Sequence, residues 1–220
     1  MSFYGFQDTG NYPRRVVLTD DPLRAKMLAA HHLEETALMY EKDDELVYFG
    51  SYGGVPLALV AAGFEDGALQ TFLRSAKDLG VGEVIYMGAC AATDERRAPG
   101  TVVLAEGCSS ALLERVQAAA EQCGVFVITA AIRPRVGAET ESGPGGIFDG
   151  VTAELYDIAT AEGVEALAVL TIAENVKTGE SMEEHERRSR FYAAAKLIFS
   201  FLEEESTNIR NDIIKEGNGL

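Results

Sequence analysis

The sequence predicts an α/β protein, a three-layer α/β/α sandwich around a mixed central sheet. Three observations carry this reading. Short apolar β-runs alternate with stretches of helical periodicity along the 220 residues. Two β-runs flank Gly53-Gly54, which reads as a hairpin inserted into that alternation. Glycine-rich or small-residue turns follow several strands, and in open α/β sheets ligands sit at that edge.

The elements follow in order. Residues 14–19, RRVVLT, read as a buried strand, and Asp20-Asp21-Pro22 as a turn that caps a helix reaching Leu33. Leu23, Met27 and Leu28 form its apolar stripe. Residues 37–47 read as polar and irregular, before the hairpin of 47–52 and 55–61. A helix over 68–79 exits at Gly80. A central strand, 83–87, then breaks into the small-residue run Gly88-Ala89-Cys90-Ala91-Ala92, and a further strand spans 101–105. Ser109-Ser110 cap a helix ending at Gly124, and a strand follows over 125–131. Arg133 to Gly146, rich in Pro, Gly and charge, reads as a loop or lid. A helix over 148–162, a strand over 167–172 and a long helix from Glu183 to about Glu204 complete the pattern; Ser181-Met182-Glu183-Glu184 has the form of a capping box. The organisation is one domain, 1–205, and a polar tail, 206–220, that is frayed or packed on a neighbour.

Composition excludes several classes. A formal net charge of −16 argues against nucleic-acid or anionic-membrane partners, which need a basic footprint. No apolar run approaches the roughly 18 residues of a membrane span, and the N-terminal stretch lacks the apolar core of a signal peptide. Cys90, Cys108 and Cys123 have no metal-ligand spacing and read as reduced thiols of a cytoplasmic protein. Neither a metal nor a cofactor is expected.

The ordered set VVLTDDPLRAK, FGSYGGVPLALVAAG, LGVGEVIYMGACAA, PGTVVLAEG and TAELYDIATAEGVEALAVLTIAEN with EEHERRSRF resembles the nucleoside phosphorylase family of purine nucleoside phosphorylases, uridine phosphorylases and nucleosidases. The resemblance implies that family's fold, a homo-oligomer (dimer, trimer or hexamer), and a small-molecule nucleoside or nucleobase ligand. The implied reaction is glycosyl transfer in nucleoside metabolism: cleavage of an N-glycosidic bond with phosphate or water as nucleophile. Such a reaction needs donors for the anion or water, groups that hold the ribose, and an acid for the departing base.

Carried over residue by residue, the resemblance places Arg24 at a phosphate-binding arginine and Glu174 at the acid facing the base. Arg187, thirteen residues after Glu174, falls at the arginine that supports the acid. Other positions depart from the pattern. Asp20 replaces a phosphate-binding glycine, Tyr86 an arginine, and Ala89 a hydroxyl residue; the arginine that a neighbouring subunit supplies falls near Asp43, beside Lys42. The ribose motif falls on Gly150 and Val151, with Asp149 as the nearby carboxylate. Phosphate binding in the family's usual manner is therefore not expected. Tyr86, Gly88, Ala89, Phe64 and Asp149 remain candidate substrate contacts beside Arg24, while Arg133 and Arg135, in the loop that the resemblance places at the base, read as exposed loop charges. Each candidate has a plain structural alternative. Arg24 would pair with Asp20 or Asp21, Asp149 would cap a helix, Arg187 would pair with Glu174 or Glu183, and Tyr86, Phe64, Tyr4 and Phe148 would pack in a core or interface. His31, His32 and His185 read as surface residues, and Cys90 as a buried structural thiol. The leading function is N-glycosidic cleavage by a divergent member whose phosphate site is largely lost. The alternative is a catalytically inactive ligand-binding or assembly paralogue.

Overall fold

Five consecutive buried residues, Arg15–Thr19, form strand β1, the first strand in the computed structural model of the chain. The structure describes residues 12–64, 67–134, 146–183 and 191–217, with side chains of the last helix to residue 204. A strand buried along its whole length must be covered on both faces. It lies between β4 (Val55–Ala61) and β5 (Glu83–Ala92), parallel to both. On the other side of β5 comes β10 (Glu165–Asn175), also parallel. The antiparallel β6 (Val102–Ala105) and then β7 (Val127–Ala130) follow it. Beyond β4, the meander continues through β3 (Glu45–Tyr52) to the edge strand β2 (Glu34–Lys42). The short strands β8 (Ile132–Pro134), β9 (Ile147–Asp149) and β11 (Glu180–Ser181) lie off this path, with β9 on β5 and β11 on β10.

Helices cover both faces, giving the three expected layers. On one face α2 (Ala68–Asp78) and α4 (Thr152–Glu162) bury Leu69, Phe72, Leu73, Leu155 and Ala159 against Val16, Leu18, Val84, Tyr86 and Ala168. On the other, α1 (Pro22–His32), α3 (Ser110–Cys123) and α5 (Tyr192–Gly217) pack Leu28, Val116, Leu197, Ile198 and Phe201 against Val17, Ile85, Leu104 and Val169. Fully burying each large aliphatic or aromatic side chain contributes about 1.5–3 kcal/mol. The two clusters therefore hold the sheet between its helices.

Local signals set the boundaries. The Asp21 carboxylate accepts from the Leu23 and Arg24 amides and starts α1, with Pro22 in its first turn. Ser109 caps α3, and Gly124, at φ 69°, ends it in the left-handed conformation.

Several expectations are corrected. Residues 37–47, expected to be irregular, fall largely in strands: through Lys42 they belong to β2, which is exposed along nearly all its length, and from Glu45 to β3. Backbone pairing with β3, through two bulges, holds β2 rather than burial, so no apolar alternation marks it. On α1 only Leu28 of the expected stripe is buried; Leu23 and Met27 face outward, 53% and 40% exposed. The small-residue run does not break the central strand, because β10 pairs with it through Ala92 and β9 pairs with Ala91 and Ala92. Phe148 lies in β9, and the helix expected from 148 begins at Thr152. Helix α5 runs on to Gly217 instead of ending near Glu204. Of the segment expected to be a loop or lid, Arg133 and Pro134 lie in β8, and residues 135–145, including Arg135, lie outside the described residues.

Candidate active site

Strand β1 ends at Thr19, opposite Met87, whereas the parallel β5 and β10 run on together to Ala92 and Asn175. Asp20 follows the end of β1, Gly88 comes just after Met87 on β5, and Glu174 lies near the far end of β10. Arg24 reaches the end of β1 from the first turn of α1. Its Nη1 donates to Asp20 Oδ1 at 2.8 Å, to Thr19 Oγ1 at 2.8 Å and to the Met87 carbonyl at 3.3 Å. Its Nη2 stands 3.6 Å from Asp21 Oδ2. Its guanidinium also lies over the ring of Phe191, 4.1 Å from the centroid. The arginine is thus paired with both local carboxylates, as its structural alternative requires.

Tyr86 is fully buried on the α2/α4 side of the sheet, with Phe64 edge-on to its ring at 5.7 Å. Its phenol folds back over Gly88, where an added Cβ would lie 2.3 Å from the hydroxyl oxygen. Burial first, then the charges of Asp20 and Asp149, push the phenol's pKa well above its ordinary value. Ala89 packs on the opposite face, with the α1/α3/α5 cluster. Tyr86, Gly88 and Ala89 therefore do not line one wall.

Asp149 is buried at the end of β9 and fastens the start of α4. Its Oδ1 accepts from the Val151 and Thr152 amides, at 3.1 and 2.9 Å, and its Oδ2 accepts from the Thr152 hydroxyl. Desolvation raises its pKa above the usual aspartate range, the hydrogen bonds from Thr152 and Val151 oppose that shift, and the charge of Asp20 adds to it. Cys90, in the same core, is buried, and desolvation with the Asp149 charge holds it as a thiol.

Glu174 is half-buried just past a bulge in β10, opposite Ala91 of β5 and Ser181 of β11. Arg187, His185 and residue 184 of the capping box lie outside the described residues, as does Tyr4. Among the other candidates, Arg133 sits 6.0 Å from the Phe148 ring centroid and is exposed. Lys42 and Asp43 are exposed beside the β2–β3 turn, with Asp43 at φ 52°. Gly150 and Val151 carry the chain into α4. His31 is exposed, but His32 is not the surface residue expected: its ring stacks on Phe199 at 3.9 Å, with Tyr52 edge-on to the pair.

The sequence reading missed Asn175. Buried beside Glu174, its Nδ2 donates to the carbonyls of Asp94 and Arg97, both at 2.8 Å. Its Oδ1 accepts from the amides of Lys177 and Thr178. One side chain thus ties the loop leaving β5 to the turn leaving β10. An asparagine closing a buried strand before a Thr-Gly turn is the signal that could have found it.

A cavity of about 180 Å³ opens at the opposite end of the sheet, lined by Gly107, Cys108, Tyr156 and Glu165 among others. Tyr156 is committed there to structure: its hydroxyl donates to the Ala105 carbonyl and accepts from the Ala168 amide. The edge holding Arg24, Asp149 and Glu174 gathers more groups suited to chemistry.

No protein-family model matches the chain. Among curated proteins, it is 26% identical over 212 residues to the purine nucleoside phosphorylase DeoD-type 1 of Vibrio cholerae, covering 83% of this chain and 88% of that one. It is 25% identical over 212 residues to the DeoD-type purine nucleoside phosphorylase of Colwellia psychrerythraea, covering 83% and 91%. Among solved structures, the purine nucleoside phosphorylase of Toxoplasma gondii in complex with immucillin-H superposes with a TM-score of 0.78 at 12% identity, over 90% of this chain and 93% of the other. Over 83% of its length in sequence and 90% in fold, the chain is similar to purine nucleoside phosphorylases, and its fold is nucleoside phosphorylase-like.

Proposed function

We propose that the protein cleaves the N-glycosidic bond of a nucleoside or related N-glycoside without using phosphate in the manner of its relatives. The observation that supports this reading is that Arg24, at the end of β1, is already paired with the carboxylates of Asp20 and Asp21. Glu174 would protonate or hydrogen-bond the departing base, supported by Arg187. Water, or an anion other than phosphate, would attack the sugar. General acid catalysis of this kind contributes about 10²–10⁴-fold.

A base-release assay over a panel of purine and pyrimidine nucleosides, with and without phosphate, tests the reading. Release independent of phosphate is expected, and Glu174→Gln should lower kcat about 10²-fold or more. No turnover under either condition would end the catalytic reading. One observation favours the second reading, an inactive ligand-binding or assembly paralogue. The Tyr86 phenol occupies the space over Gly88 that a ligand approaching the strand would use. Thermal-shift screening with nucleosides, bases and sugar phosphates separates the two, because a ligand that binds the native state raises its apparent stability.

We further propose a homo-oligomeric, cytoplasmic protein with neither nucleic acid nor membrane as partner. Exposed Leu23 and Met27 on α1 and Leu38 and Met39 on the edge strand β2 support the assembly. Sedimentation at several concentrations tests it.

A further inference from the structure

We propose that Asp20, beside the helix-capping Asp21, forms a built-in counter-anion for Arg24, which makes this sheet edge select ligands with no phosphate-like group at that position. The inference rests on the reading above of this edge as the ligand site.

Two cationic features meet at the end of β1: the Arg24 guanidinium and the amides of the first turn of α1. Each is suited to an external oxyanion. Each is instead met by this chain's own carboxylates. Asp20 Oδ1 accepts from Arg24 Nη1 at 2.8 Å. Asp21 Oδ1 accepts from the Leu23 and Arg24 amides at 2.9 and 3.3 Å, and its Oδ2 lies 3.6 Å from Arg24 Nη2. Thr19 Oγ1, the Met87 carbonyl and the Phe191 ring take the rest of the guanidinium.

An incoming phosphate would have to displace Asp20 from Arg24 and then remain beside two carboxylates and a single arginine. Like charges at such range repel strongly near a protein surface. The Asp20 side chain is 42% exposed and that of Arg24 only 12%, so the guanidinium is largely withdrawn from solvent while its carboxylate partner is not. Both carboxylates follow directly from the Asp-Asp-Pro sequence of the turn, so the selectivity is local and removable.

The test is calorimetric titration of the full chain with inorganic phosphate at neutral pH. The wild type, Arg24→Gln, Asp20→Asn, Asp20→Asn/Asp21→Asn, and the double variant with Arg24→Gln added would be compared. Asparagine at 21 keeps the capping oxygen and removes the charge. We expect no saturable binding by the wild type. The double variant should bind phosphate saturably, at least about tenfold tighter than the weakest binding the titration resolves, as neutralising nearby charges implies, and Arg24→Gln should abolish that binding. If the double variant fails to fold, Asp20→Asn carries the same expectation, since it leaves the Asp21 cap intact. Saturable binding by the wild type that Arg24→Gln removes would overturn the proposal, as would folded neutral variants that bind no tighter. Absence of base release together with phosphate capture by the neutral variant would end the catalytic reading and leave the counter-anion standing.

Discussion

The phenol of Tyr86 lies across the backbone of Gly88, so close that any β-carbon on residue 88 would meet its oxygen at 2.3 Å. The glycine and the tyrosine are one unit. A bulky buried ring can turn back along its own strand only where the residue two positions on has no side chain.

This contact predicts a coupled pair of substitutions. Gly88→Ala should destabilise the fold by about 1–3 kcal/mol, the range for overpacking a core. In a Tyr86→Leu background the same change should cost clearly less, because the clashing phenol is gone. Urea denaturation of the four-member cycle reads the coupling directly; equal costs in both backgrounds would contradict it.

Asp149 predicts a pH dependence of stability. Its carboxyl is raised above the ordinary aspartate value of about 3.9, chiefly by burial. Below the unfolded value both states are protonated and no penalty arises. As pH rises through the unfolded and then the folded value, the unfolded chain releases its proton first, so stability is lost across that window. Asp149→Asn keeps an acceptor for the Val151 and Thr152 amides and removes the titration. Its stability should be flatter than wild type as pH rises from about 4, read by thermal melts at stepped pH.

Asn175 predicts a structural cost beside the candidate acid. Asn175→Ala strips partners from two carbonyls and two amides. Leaving buried polar groups unpaired should cost about 2–4 kcal/mol by chemical denaturation. Asn175→Asp keeps the acceptor for Lys177 and Thr178 but opposes the Asp94 and Arg97 carbonyls, so it should not rescue. Restoration to wild-type stability by aspartate would show that the donor side is unimportant.

His32 predicts loss of stability in mild acid. Desolvation, with a smaller contribution from His31, lowers its pKa below the ordinary 6.5. The folded state therefore favours the neutral imidazole stacked on Phe199. As pH falls below about 6.5 the unfolded chain protonates first, and stability declines until the folded value is passed. Groups near the stack are Tyr52, Phe199, His31 and, through Tyr52, Glu203. His32→Phe should remove this decline, which melts over pH 5–7 would resolve.

Much of the fold was legible in the chain because its signals are local. Buried β-runs, the Gly53-Gly54 hairpin, the Asp21 and Ser109 caps and the Gly124 stop each act within a few residues. Together they order the layers and mark the sheet edge where Arg24 and Glu174 belong. Strand β2 was hidden because its stability comes from β3 and not from burial. The continuation of β5 through its small residues was hidden because β9 and β10, distant in sequence, supply the pairing. The site was less legible for the same reason. Sequence by itself determined that carboxylates sit beside Arg24 and that Tyr86 precedes a run of small residues. Only the tertiary structure decided that those carboxylates close on the arginine, that the phenol covers Gly88, and that Asn175 ties two loops. Those outcomes depend on distances between residues far apart in the chain, which packing alone fixes.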